Sequence, residues 1–191
     1  MGRKLPPFRL GQYYHLYNRG AHRQPIFLET DNYLFVLSKI KGYITELSLT
    51  IIAYCLMPNH YHLFVRQDGE ERAGKLAQLV FNSYVKAYNK RYHHSGTLFE
   101  GPYNARIIDN ESYLLHLCRY IHANPVKDGL VEKLEEWPYS NYLEWIGRRA
   151  GTLVNNEFIF DYFQTPGEYE AFVQDYLLYR QLPEGLVYLE E

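Results

Sequence analysis

A chain of 191 residues, 47% of them hydrophobic, is sized for one domain with a real core, which excludes wholesale disorder. Two cysteines far apart in apolar surroundings, Cys55 and Cys118, with no CxxC motif, suit a reducing cytosol and two buried thiols. The net charge of −2 hides a division: residues 1–127 hold 16 Lys and Arg against 9 Asp and Glu, whereas residues 128–191 hold 4 against 13, so the basic body points to a polyanionic partner.

The basic, proline-broken stretch Met1–Phe8 has no apolar block, so no signal peptide is expected there, and no apolar run reaches the length of a membrane span. Tyr13 to Asn18 is aromatic and β-prone and ends at Gly20, which reads as a first strand. Thr30 or Asp31 caps a helix to about Leu47, with Leu34, Leu37, Ile40 and Ile44 as its apolar stripe. Leu49 to Leu56 is a buried strand, Pro58-Asn59 a turn, and His60 to Arg66 its hairpin partner. A second helix runs from about Glu71 to Tyr92 and stops at His93-His94-Ser95-Gly96. Asn104 to Asp109 is a short strand. A third helix starts at Asn110 or Ser112 and ends near Ala123, because residues before a proline, here Pro125, avoid the helical region. Short helices and loops follow, around Trp137, Trp145, Phe158 and Tyr176. The order predicts an α+β, ferredoxin-like (β-α-β-β-α-β) antiparallel sheet with helices on one face, plus a C-terminal helical extension. The natural division is residues 1–145 as the main domain and 146–191 as an acidic helical extension packed on it.

Within this frame one stretch carries chemistry. In Met57-Pro58-Asn59-His60-Tyr61-His62, the two histidines are one residue apart on a strand, so both project the same way and can share a divalent metal. The third helix ends Tyr120-Ile121-His122-Ala123-Asn124-Pro125. Tyr120 and Asn124 are four apart on one helical face, and an amide oxygen is a plausible third ligand. A tyrosine one turn earlier then lies within reach of whatever the cation polarises. A phenol has a reference pKa of about 10, so it needs a neighbouring cation to act as a nucleophile at neutral pH. Twenty tyrosines among basic residues also suit nucleic acid, since rings stack on bases while cations meet phosphates. The phosphate-contact candidates are Arg19, Arg23, Lys86, Lys90, Arg91 and Arg106. His15 and His122 are further candidates to line the site. His122 projects from a different helical face than Tyr120 and reads as structural.

From Gly11 to Trp145 the chain resembles the IS200/IS605-type single-tyrosine transposases of the HUH endonuclease superfamily, and within them the REP-associated tyrosine transposases. The resemblance rests on Tyr14-His15-Leu16-Tyr17-Asn18-Arg19-Gly20, Leu56-Met57-Pro58-Asn59-His60-Tyr61-His62, Gly96-Thr97-Leu98-Phe99-Glu100-Gly101, Tyr120-Ile121-His122-Ala123-Asn124-Pro125-Val126 and Trp137-Pro138-Tyr139-Ser140. It implies that His60, His62 and Asn124 hold Mg²⁺ or Mn²⁺. It implies that Tyr120 is the nucleophile, making a 5′-phosphotyrosine link and freeing a 3′-hydroxyl. The implied substrate is single-stranded DNA carrying a hairpin, the implied place the cytoplasm with its nucleoid, and both a monomer and a homodimer are open. Pro102 stands where many relatives carry a basic residue, which gives Arg106 that phosphate contact. A non-cleaving domesticated binder of DNA or RNA hairpins, and a phosphodiesterase working through water, are the competing readings. The acidic extension is expected to cover the DNA groove when it is empty.

Overall fold

The computed structural model of the chain describes residues 5–189. Residues 1–4 of the basic leader, and residues 190 and 191 of the acidic extension, lie outside the described residues. Strands β1 (Tyr13–Arg19), β2 (Leu49–Met57), β3 (His60–Gln67) and β4 (Asn104–Ile108) form one sheet in the order β2-β3-β1-β4. Every pairing is antiparallel. Helices α1 (Thr30–Glu46) and α2 (Gly74–Tyr92) fill the two crossovers, so the chain has the expected ferredoxin-like α+β order.

Alternation along the strands sorts the side chains. Tyr14 and Leu16 of β1, with Tyr61 and Leu63 of β3, face Val36 and Ile40 of α1 and Leu76 and Val80 of α2. Phe64 of β3 and Cys55 and Met57 of β2 point the other way, into a second apolar cluster. β2 is buried along nearly its whole length. A bulge where its pairing slips between Ile51 and Ala53 lets the neighbours Ile52 and Ala53 both join that second cluster. A sheet apolar on both faces needs cover on both. The two crossover helices therefore share one face as expected, while the opposite face carries α3 (Glu111–Lys127) and the helices after it. These are α4 (Tyr142–Trp145), α5 (Glu157–Phe160) and α6 (Pro166–Tyr179). Tyr169, Val173 and Tyr176 of α6 are fully buried in that cluster with Leu117, Cys118 and Ile121 of α3. Both cysteines are free and buried. Among the described residues no helix is long and apolar enough to cross a membrane.

Pro125 does not end α3, contrary to the sequence expectation; the helix runs on to Lys127. Proline removes one backbone donor. The next turn still closes, because Asp128 N donates to Asn124 O at 2.9 Å and Leu130 N to Pro125 O at 2.9 Å. Burial of the whole stretch Leu117 to Pro125 outweighs the single lost bond.

A polar network sets where α3 lies. The Asn141 side-chain oxygen accepts from Tyr54 N at 2.7 Å and from His122 Nε2 at 2.8 Å, while its Nδ2 donates to Ile52 O at 3.1 Å. His122 Nδ1 accepts from the Tyr169 hydroxyl at 2.6 Å. One imidazole thus ties α3 to β2 and α6, away from Tyr120. Burial lowers His122 to about 4, the Asn141 hydrogen bond working in the opposite sense. An unfolded histidine titrates near 6.5, so below that pH the unfolded chain takes up a proton that the folded one refuses. Stability is full above pH 6.5 and falls as pH drops towards 4, by roughly 1.4 kcal/mol per pH unit for this group. The thermal midpoint should decline steadily between pH 6.5 and 4.5; a flat profile would show that His122 is not held neutral.

Candidate active site

His60 and His62 stand at the start of β3, a central strand paired with β1 and β2, on the face opposite α1 and α2. The turn that carries them is pinned from outside: Gly20 N donates to Asn59 O at 2.7 Å, and Ile26 N and Phe27 N donate to Pro58 O. Glycine is required at position 20, where a Cβ would sit 2.1 Å from Gln24 O. The two imidazoles stand edge to face with centroids 5.0 Å apart. The Tyr120 ring, from α3, meets His62 at 5.6 Å, also edge to face. Asn124 donates from Nδ2 to Tyr120 O at 2.7 Å, and its side chain lies beside His60. All four line one cleft of about 560 Å³. They meet within a single chain, so a second copy is not needed to assemble the set.

Both imidazoles are held neutral. Burial pulls His60 down to about 4, against the opposing pull of Asp128 and Asn124. Burial takes His62 well below its ordinary value, and His60 and His15 push it the same way. His62 Nε2 is buried without a hydrogen-bond partner. Neutral imidazoles, one with an unsatisfied ring nitrogen, together with an amide whose Nδ2 is already engaged, fit a divalent cation that takes nitrogen and oxygen ligands. Among the described residues no group of three or more His, Cys, Asp or Glu side chains is placed to hold a metal. A cation here would therefore use the two imidazoles and the Asn124 oxygen, with positions left for substrate oxygens.

The cationic candidates divide. Arg19, Arg23 and Arg106 line the cleft. Arg19 is paired with Glu100 at 3.1 Å. Lys86, Lys90 and Arg91 lie exposed on α2, which covers the other face of the sheet, and Arg91 is paired with Glu29 at 2.8 Å and Asp31 at 3.2 Å.

Sequence reasoning passed over two residues of this site, Lys127 and Asp128. Lys127 donates from Nζ to the Tyr120 hydroxyl at 3.3 Å and sits 4.6 Å above its ring. It is seven residues beyond Tyr120 on the same helical face, a signal lost by ending the helix at Ala123. Asp128 follows it into the cleft beside His60. The C-terminal extension, expected to cover the groove, reaches the cleft through the short helical turn Glu184–Leu189. The Tyr120 hydroxyl donates to Leu189 O at 2.6 Å, and Tyr188 lies under the Arg106 guanidinium at 5.0 Å. The tail thus walls the cleft on the Tyr120 side.

Three comparisons bear on identity. The sequence profile described as transposase IS200-like matches residues 9–124. A Haemophilus influenzae protein named as a REP-associated tyrosine transposase is 28% identical over 102 residues, 48% of this chain. That match spans 57% of the relative's own length. The solved structure of a REP-associated tyrosine transposase bound to a REP hairpin superposes with a TM-score of 0.64 at 19% identity, covering 81% of this chain and 94% of that one, which establishes the shared fold. With more than half its length matched by the family's profile, and the fold in agreement, this chain belongs to the IS200-like transposase family.

Proposed function

We propose that the protein is a metal-dependent endonuclease and strand transferase acting on single-stranded DNA beside a hairpin, through a 5′-phosphotyrosine intermediate at Tyr120. The observation that carries this reading is the convergence of Tyr120, His60, His62 and Asn124 on one cleft walled by Arg19, Arg23 and Arg106. The hairpin-bound structural relative supports the substrate class.

The arginines hold the phosphate backbone, and the Tyr17 ring in the same cleft offers a base a stacking surface. The Tyr120 oxygen attacks phosphorus. A P–O bond forms to tyrosine, the bond to the 3′-oxygen breaks, and that oxygen takes up a proton to leave as a 3′-hydroxyl. Lys127, 3.3 Å from the attacking oxygen, is placed to balance its negative charge as its proton departs. Mg²⁺ or Mn²⁺ held by His60, His62 and Asn124 would polarise a phosphate oxygen as a Lewis acid. Reversal with a second 3′-hydroxyl rejoins a strand without ATP, since the phosphoester energy is kept.

The test is a denaturing gel of full-length protein with end-labelled hairpin DNA and Mn²⁺. A heat-stable protein–DNA adduct is expected. Cleaved DNA with no protein attached would replace this reading by hydrolysis through water. Tight binding with neither cleavage nor adduct would leave a hairpin binder.

The tail must move before a phosphate reaches Tyr120, because the Leu189 carbonyl holds the tyrosine hydroxyl. Cutting at Trp145 would strip Tyr169, Val173 and Tyr176 from the core, so the informative truncation is a chain ending at Leu186. It loses the contacts of Tyr188 and Leu189, two hydrogen bonds of about 1 kcal/mol each, which corresponds to a gain in adduct yield of roughly 30-fold. Unchanged yield would show that the tail is not a barrier.

A further inference from the structure

We propose that His15 is a positioning residue for the metal site: it accepts a hydrogen bond from His62 Nδ1–H and so keeps His62 Nε2 bare towards the cleft. The inference rests on the metal-binding reading of His60 and His62 given above.

The two histidines are oriented by different partners. His60 Nδ1 lies 2.7 Å from Asn59 Oδ1. Asn59 Nδ2 is turned away to donate to Arg23 O at 3.3 Å, so the oxygen is the atom that faces His60. An amide oxygen only accepts; His60 Nδ1 therefore carries the hydrogen, and Nε2 keeps its lone pair. His62 has no such carbonyl. Its Nδ1 lies 2.9 Å from His15 Nε2, on the neighbouring strand β1. The rings are within 17° of coplanar with centroids 5.1 Å apart, the geometry of an edge-to-edge N–H···N bond rather than a face-to-face stack. His15 is wholly buried, and a face of its ring lies parallel to Tyr17 at 4.6 Å.

An imidazole partner can accept or donate, so the direction must come from elsewhere. If His62 donates, His15 carries its hydrogen on Nδ1 and gives it to the Tyr188 hydroxyl at 2.9 Å. Each N–H of the linked His62 and His15 rings then has an acceptor, and His62 Nε2 faces the cleft as a ligand. If His15 donates, the His62 hydrogen moves to Nε2, a buried atom with no acceptor. A buried donor left without a partner is costly, and a protonated nitrogen is no ligand. Metal-bound imidazoles in general donate their second N–H to an outer partner, and here that partner is a third histidine. When the tail withdraws, water replaces Tyr188 on His15 Nδ1, and the His15–His62 bond keeps its direction.

The experiment uses full-length protein labelled with ¹⁵N at histidine, together with Mn²⁺ titrations followed by electron paramagnetic resonance. In the wild type, His62 should show a protonated Nδ1 and a bare Nε2. His15→Gln, whose side-chain oxygen accepts the same hydrogen bond, should keep Mn²⁺ affinity within about threefold, whereas His15→Leu should weaken it roughly 10- to 100-fold. A wild-type spectrum with the hydrogen on His62 Nε2, or His15→Leu binding Mn²⁺ as tightly as wild type, would overturn the role of His15. The wild-type spectrum decides alone if His15→Leu does not fold. No Mn²⁺ uptake by the wild type, or uptake that survives His60→Ala, would overturn the underlying metal reading instead.

Discussion

Tyr120→Phe is expected to abolish the covalent adduct, lowering its yield at least ~1,000-fold, while hairpin affinity stays within about threefold. The substitution suits the question because it removes one oxygen and little else. The Tyr120 ring is 3% exposed and packs against His62 and Tyr176, contacts that phenylalanine keeps. Among the described residues the hydrogen bonds lost are those to Leu189 O and from Lys127 Nζ. Both partners lie at the cleft, where water can replace the lost oxygen, so the fold should lose no more than about 1 kcal/mol. Loss of adduct therefore reads as loss of the nucleophile. Denaturing gels measure the adduct, and binding in EDTA measures the hairpin. Adduct at wild-type yield would move the chemistry to another hydroxyl, and Tyr17 and Tyr188, which line the same cleft, would be the next to substitute.

His60→Ala should cost at least ~100-fold in Mn²⁺-dependent adduct formation and shift Mn²⁺ binding to higher concentration. His60 is one of two imidazoles in a set completed only by an amide, so its loss leaves a single nitrogen ligand. The structural cost is small. Its Nδ1 partner, Asn59, is half-exposed and stays anchored through the Arg23 carbonyl. Thermal midpoints of wild type and variant should agree within a few degrees. Because burial holds His60 near 4, protons compete little with a cation above pH 5, and the variant's defect should be constant from pH 6 to 8. Undiminished nicking would remove the metal from the mechanism.

Some of the site follows from local pattern. Alternation along β3 places His60 and His62 on one side whatever the rest of the chain does, and the four-residue spacing on α3 aligns Tyr120 with Asn124. Those periods belong to single elements, as do the apolar stripes that define α1 and α2. The same local reasoning went astray at Pro125, where burial of α3 in the second cluster carries the helix past a residue that ends many helices, bringing Lys127 to Tyr120.

The remaining features join residues far apart in the chain. His15 and His62 are 47 positions apart, Tyr120 and Leu189 are 69, and His15 and Tyr188 are 173. No periodicity relates such residues. They meet because β1 lies beside β3, and because α6 buries its aromatic side against α3 and delivers the tail to the cleft. What the amino-acid order determined by itself was the order of strands and helices and the face each carries. Which histidine steadies which, and what rests on the Tyr120 oxygen, was decided by packing, since the burial that drives it is non-directional and depends on the assembled shape.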